Sequence, residues 1–184
     1  MAGKKISGLA AAFDLESYGL DPIWGMLLCG VVTPWGGQPK TFVLDPIGSD
    51  DSKLVTQLVN ELSQYSILIA HNGVYHDRAF LNARALHWGL PILDPFAKMI
   101  DPLRLARRHL NCGRNSLDAL AQYLSTPTQK LHLPPTAWQR VAFDHDPAAM
   151  DEIIVRCKAD VQVLLEVCER VLGLVGTGNF WGSA

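Results

Sequence analysis

The chain reads as a mixed-sheet α/β domain flanked by helices, and three observations predict it. Short apolar runs in the first third alternate with Gly/Pro/Asp clusters. After Asp50-Asp51 the hydrophobic period becomes helical. One more compact apolar run, SILIAH (66–71), then returns before a helical remainder.

Residues 6–15 (ISGLAAAFDL), 23–33 and 41–45 are the first three strand candidates, with TPWGGQP the clearest turn. Their short connections predict an antiparallel three-strand meander. Leu54, Leu58, Leu62 and Tyr65 then recur at helical spacing, with Asp50 or Ser52 available as a cap. SILIAH is a buried strand that Asn72-Gly73 breaks, and a helix follows through about Trp88, stopped by Gly89 and Pro91. Residues 96–101 supply a fifth strand. Helices are expected at about 102–110, 115–125, 136–142 and 148–173. Residues 1–175 read as one domain, with 176–184 a flexible C-terminal tail.

Composition excludes several classes. With 184 residues and 48% hydrophobic side chains, the chain can offset the entropy of folding and is no disordered tail. Sixteen Lys+Arg against 18 Asp+Glu give a net charge of −2, which excludes a polyelectrolyte that coats nucleic acid by bulk charge. A local basic track stays open. Cys29, Cys112, Cys157 and Cys168 form no CxxC pair, so reduced thiols in a cytoplasmic protein are expected rather than disulfides or zinc. The start, MAGKKISGLAAAF, imitates a signal peptide until Asp14 and Glu16 interrupt it. IWGMLLCGVV is too short to span a bilayer, so no membrane partner is expected.

Four acids stand out by context. Chance alone gives about two acid-x-acid pairs among 18 acids, and there are two, so spacing decides nothing. Asp144/Asp146 lie in a polar stretch and read as a solvated loop. Asp14 and Glu16 directly follow an apolar strand, on which residues i and i+2 share a face. Like charges so placed persist most easily around a cation, though a strand end emerging into water is the plainer alternative. Asp77 precedes Phe80 and Leu81 on the core-facing stripe of its helix. Asn72 is the better cap candidate, leaving Asp77 beyond the first turn. Asp160 lies at the edge of the stripe Met150, Ile154, Cys157, Val161, Leu164, Cys168 and Leu172. There Glu152, Arg156 and Asp160 also make an ordinary surface salt-bridge ladder.

As an ordered set, these acids resemble the DEDD superfamily of 3′–5′ exonucleases. FDLES (13–17), IAHNGVYHDRAFL (69–81) and CKADVQVLLEV (157–167) are similar to its three motifs. The spacing from Asn72 to Asp77, followed by Phe-Leu, is most similar to exonuclease domains of phage-type DNA polymerases and their stand-alone relatives. The resemblance implies an RNase H-like (exonuclease) fold with a mixed five-stranded sheet. It also implies a site for two Mg²⁺ or Mn²⁺ ions: Asp14 bridging both, Glu16 and Asp160 completing one, Asp77 holding the other. Ser17 and Asn72 would contact the terminal nucleotide. Oxygen-only ligands of this kind select hard cations.

The sequence departs from the family at the general base. Relatives carry Tyr or His four residues before the last acid, or His five before; Arg156 and Val155 stand there instead. Arginine only donates and cannot be that base. Three readings remain open: metal-bound water needs no base and Arg156 touches the scissile phosphate; His76 or His71 substitutes; or activity is lost.

Substrate grip must come from a local patch. Arg104, Arg107 and Arg108 share one helix face near His109, Arg114 and Lys98, either as a solvated face or as a phosphate track. Trp24, Trp35, Trp88 and Trp138 read as core or turn packing rather than base-stacking platforms. The resulting expectation is a metal-dependent 3′–5′ exonuclease acting on single-stranded or frayed DNA ends in replication or repair, with a polymerase or replication protein as a partner in trans. An RNA exonuclease is the alternative within the class, and a catalytically silent binding module the alternative outside it.

Overall fold

Strands β1 (Ala10–Tyr18), β2 (Met26–Pro34) and β3 (Lys40–Val43) form the expected antiparallel meander in the computed structural model, which describes residues 10–174. β4 (Ile67–Ile69) pairs parallel with β1, and β5 (Lys98–Ile100) parallel with β4, giving the order β3-β2-β1-β4-β5. Parallel neighbours need a crossover; α1 (Ser52–Leu62) lies between β3 and β4, and α2 (Asp77–His87) between β4 and β5. The sheet is the mixed five-stranded one that the pattern predicts. Residues 6–9 of the first strand candidate and the tail at 176–184 lie outside the described residues.

β1 is central, and Ala10–Phe13 are buried throughout. Its two faces meet different helices. A Cβ added to Gly30, opposite Leu15, would stand 2.8 Å from methyls of Leu15 and Leu58, so α1 presses on that face and the position admits only hydrogen. On the other face, α6 (Pro147–Val171) brings Cys157 Sγ to 3.8 Å from Asp14 Oδ2.

Several local expectations are corrected. β1 runs on to Tyr18, because β2 stays paired with it as far as Met26. Asp14 and Glu16 therefore sit inside a strand, not where one emerges into water. α2 starts at Asp77 itself, so Asp77 occupies the first turn and not a position beyond it. Asn72 caps no helix. It adopts φ 62°, and the N–H groups of Tyr75 and His76 both return to its carbonyl, making 72–76 a tight turn.

α1 takes Asp51 as its N-cap residue without a side-chain cap bond, while Asp50 Oδ1 accepts from Ser52 N–H at 2.9 Å. α3 (Pro102–His109) is capped by Asp101, and α4 (Leu117–Tyr123) by Ser116. α5 (Thr136–Asp144) precedes α6, whose cap is Asp146, accepting from Ala148 and Ala149. Asp146 also pairs with Arg140, so it is a structural cap rather than a solvated loop acid.

The acid that the sequence concealed is Asp51, which is fully buried. Its oxygens accept from Leu27 N–H (2.8 Å), from Arg84 Nε and Nη2 (3.0 and 2.8 Å) and from Trp88 Nε1 (2.6 Å). One carboxylate thus ties β2, α1 and α2 together, with every lone pair used. Removing one partner of such a pair strands the other charge in the interior. Asp51→Ala should therefore lower the unfolding free energy by about 3–5 kcal/mol, read from the urea midpoint. A loss below about 1 kcal/mol would contradict the anchor role.

Candidate active site

Period-2 alternation turns Asp14 and Glu16 to the α6 face of β1, with a bulge between Glu16 and Ser17 closing the stretch. Asp77 enters from the start of α2, and its Oδ1 accepts from Leu15 N–H at 3.3 Å. Asp160 enters from the middle of α6 and is 1% exposed. The buried stripe of that helix runs through Ile153, Cys157, Asp160, Val161, Leu164, Cys168 and Val171, so Asp160 lies within it and not at its edge. All four acids meet at a cavity of about 650 Å³ that Ser17, Asn72, His71, His76 and Arg156 also line.

The ladder expected on α6 forms only in part. Arg156 Nη2 does approach Asp160 Oδ2, at 3.2 Å. Glu152, however, faces Arg140 (3.8 Å), and Arg156 Nη1 turns inward to Glu16 Oε1. Burial is the reason: Asp160 is 1% exposed and faces the cavity, so its ion pair belongs there and not to solvent.

Two residues of the site escaped the sequence reading. Lys130 Nζ lies 2.8 Å from Asp160 Oδ2, delivered by the loop between α4 and α5. Thr128 fastens that loop to α6: its N–H and Oγ1 donate to Glu166 at 2.9 and 2.8 Å. A lone lysine in an aperiodic loop carries no local signal for a pairing thirty residues away. Trp138 is the second. Read as packing, it does pack against the core, but it also donates from Nε1 to Glu16 Oε2 at 3.0 Å, with the Arg156 guanidinium 5.2 Å from its ring centroid. The indole N–H, which seeks a partner when buried, was the available signal. Trp24 is 84% exposed and lies in the turn before β2, the turn alternative of that reading.

The other predicted contacts divide. Ser17 Oγ donates to Gly19 O at 2.8 Å beside the cavity, and Asn72 N–H donates to Asp101 Oδ1 at 3.0 Å, which fixes the turn carrying His76. Arg104, Arg107 and Arg108 are exposed on α3 and do not line the cavity. Arg104 reaches 6.0 Å from the Tyr75 ring centroid, which places this face next to the 72–76 turn.

Electrostatically the acids are crowded. Burial, then the neighbouring Asp77 and Asp160, push the Asp14 carboxyl up to about 8. Burial and Asp14 raise Glu16 to about 7, against the pull of Arg156. Asp77 rises to about 7, mainly by burial. Burial lowers His71 to about 4, so it is neutral near pH 7, and its Nδ1 is buried without a hydrogen-bond partner.

The donor set suits a hard divalent cation. It offers carboxylate oxygens, and both oxygens of Asp160 are buried without a hydrogen bond, with only Lys130 and Arg156 as ion-pair partners. Cys157 shares a 4.8 Å cluster with Asp14 and Glu16. Its thiol is pushed well above its usual range, first by Cys29 and burial, and the carboxylate oxygens around it are the harder donors. The four cysteines are unpaired, as expected. Among the described residues no helix is long and apolar enough to cross a membrane.

Compared with known proteins, residues 11–172 match a family model described as the RNase_H superfamily. No curated protein matches significantly in sequence. A family B DNA polymerase from the hyperthermophilic archaeon Pyrobaculum calidifontis is structurally similar, with a TM-score of 0.73 at 19% identity over 89% of this chain. The match takes in 24% of that polymerase, so this chain spans about a quarter of its length. At this identity the likeness concerns the fold, and the fold is the RNase H-like one that the motifs led us to expect.

In chelator, the site acids should destabilise the folded chain once they ionise. Asp14, Glu16 and Asp77 keep protons in the folded state that the unfolded state has already lost, so the folded chain binds more protons between about pH 4 and 8. Their contribution is full below that window and is lost as pH rises through it. The melting midpoint should fall from pH 5 to 8, and fall less in Asp14→Asn; a profile shared by both chains would contradict the crowding.

Proposed function

Because the chain belongs to the RNase_H superfamily, we propose that it is a metal-dependent 3′–5′ exonuclease. It hydrolyses phosphodiester bonds at the 3′ end of single-stranded or frayed DNA and releases nucleoside monophosphates. One observation carries this reading: Asp14, Glu16, Asp77 and Asp160 come from three separate elements to one cavity, in the order and spacing of the exonuclease motifs. Four acids so placed are costly to keep without a cation. Replication or repair in the cytoplasm, beside a polymerase, is the setting that fits.

Asp14, Glu16, Asp77 and Asp160 hold Mg²⁺ or Mn²⁺, as a pair of ions in the form that the resemblance implies. Bound there, the metal supplies an activated water and charge stabilisation for the leaving 3′-oxygen. The chain's own residues do the rest. Ser17 and Asn72 flank the cavity and orient the terminal nucleotide. Lys130 is a cation positioned to meet the scissile phosphate. Arg156 donates only and abstracts no proton. His71 is neutral but, at about 4, a weak base; His76 also lines the cavity wall, next to Asp77.

Outside the cavity, Arg104, Arg107 and Arg108 on α3 guide the strand toward it through phosphate contacts. Since bulk charge supplies no attraction, replacing all three with Gln should raise KM, leave kcat near its original value and flatten the salt dependence of binding. Equal salt slopes for the two proteins would reduce the patch to a solvated face.

A second reading, a silent module that docks on nucleic acid or a polymerase, is favoured by one observation: Arg156 and Lys130 already pair with Glu16 and Asp160. Digestion of 3′- and 5′-labelled DNA and RNA with Mg²⁺ or Mn²⁺ decides. Loss of nucleotides from the 3′ end of DNA, reduced on the order of a hundredfold or more by Asp14→Ala, is the expected result. Binding without digestion favours the module, preferential RNA digestion the RNA enzyme, and activity untouched by Asp14→Ala ends the assignment.

A further inference from the structure

We infer that Arg156 stands in for one of the two divalent cations, so that the loaded site holds a single ion between Asp14 and Asp77. This deepens the exonuclease reading and rests on it. The guanidinium bridges the two carboxylates that would complete one ion with Asp14: Nη1 pairs with Glu16 Oε1, and Nη2 stands 3.2 Å from Asp160 Oδ2. It is held in that place. Its side chain is only 16% exposed, it leans on the Trp138 ring, and it sits one helical turn from Asp160. Trp138 Nε1 takes the second oxygen of Glu16 at 3.0 Å, so both Glu16 oxygens are engaged by donors from the chain.

Charge points the same way. Four ionised acids against Arg156 and Lys130 leave two negative charges, the charge of one divalent cation. The acids left open are Asp14 and Asp77. Among the described residues no salt bridge reaches either; Asp77 Oδ1 accepts the Leu15 backbone N–H, and Asp14 Oδ2 lies 3.8 Å from the Cys157 thiol. Arginine stays charged at any working pH, so this resident cation is permanent.

Counting Mn²⁺ on the full chain by electron paramagnetic resonance tests the inference without relying on activity. The wild type should bind one Mn²⁺ per chain with an uncoupled spectrum. Arg156→Gln should bind two, with the exchange coupling expected of ions about 3.5–4 Å apart; Arg156→Lys should return to one. Glu16→Gln should change Mn²⁺ affinity by less than about tenfold, whereas Asp77→Asn should weaken it by at least that much. If circular dichroism finds the Arg156 variants unfolded, the wild-type count and the Glu16/Asp77 contrast decide alone. Two coupled ions in the wild type, or one in a folded Arg156→Gln, overturn the inference. Two ions with 3′ release intact would overturn it alone, while no bound Mn²⁺ together with no release would sink the exonuclease reading as well.

Discussion

Repulsion among four enclosed carboxylates is the constraint around which the rest of the molecule is arranged. Each acid alone is ordinary, but burial first and the neighbouring carboxylates second make Asp14, Glu16 and Asp77 all resist ionisation. A fold can hold such a cluster only if its framework is stiff and its surroundings supply positive charge. Both conditions are visible. The framework is the central strand β1, buried over Ala10–Phe13 and hydrogen-bonded on each side. The positive charge comes from two long side chains that reach inward, contrary to the usual habit of Lys and Arg to keep their heads in water.

Much of this was legible. The meander followed from short connections in the first third, and the mixed sheet from a single strand–helix–strand unit after it. Asp14-Leu15-Glu16 announced a shared face because strand alternation is strict. What was lost depended on pairing at a distance. The length of β1 is set by how far β2 accompanies it, which no window around Glu16 contains. The start of α2 is set by the 72–76 turn, where Asn72 takes a left-handed conformation and Asp101, far along the chain, secures its N–H.

The same limit hid the partners of the acids. Arg156 reads as a surface rung because its i+4 neighbour is acidic, a pattern that exposed helices repeat everywhere. Only burial of Asp160 distinguishes the two cases, and the buried stripe is wider than expected, taking in Ile153 and Asp160 beside Cys157 and Val161. Asp51 taught the same lesson in the core. The sequence singled out Asp50 or Ser52 as the cap and passed over Asp51, yet Asp51 is the acid bound by Arg84 and Trp88.

The Thr128–Glu166 fastening has a mechanical meaning. Through it the loop bearing Lys130 rides on the same helix that carries Arg156 and Asp160. Asp14 and Glu16, by contrast, belong to the sheet. The site is therefore split between two bodies, a plate and a rod, with both resident cations travelling on the rod. A small slide or twist of α6 over β1 would shift both positive charges relative to the strand acids in one stroke. Whatever presses on the far end of that helix has a lever on the charge balance of the cavity.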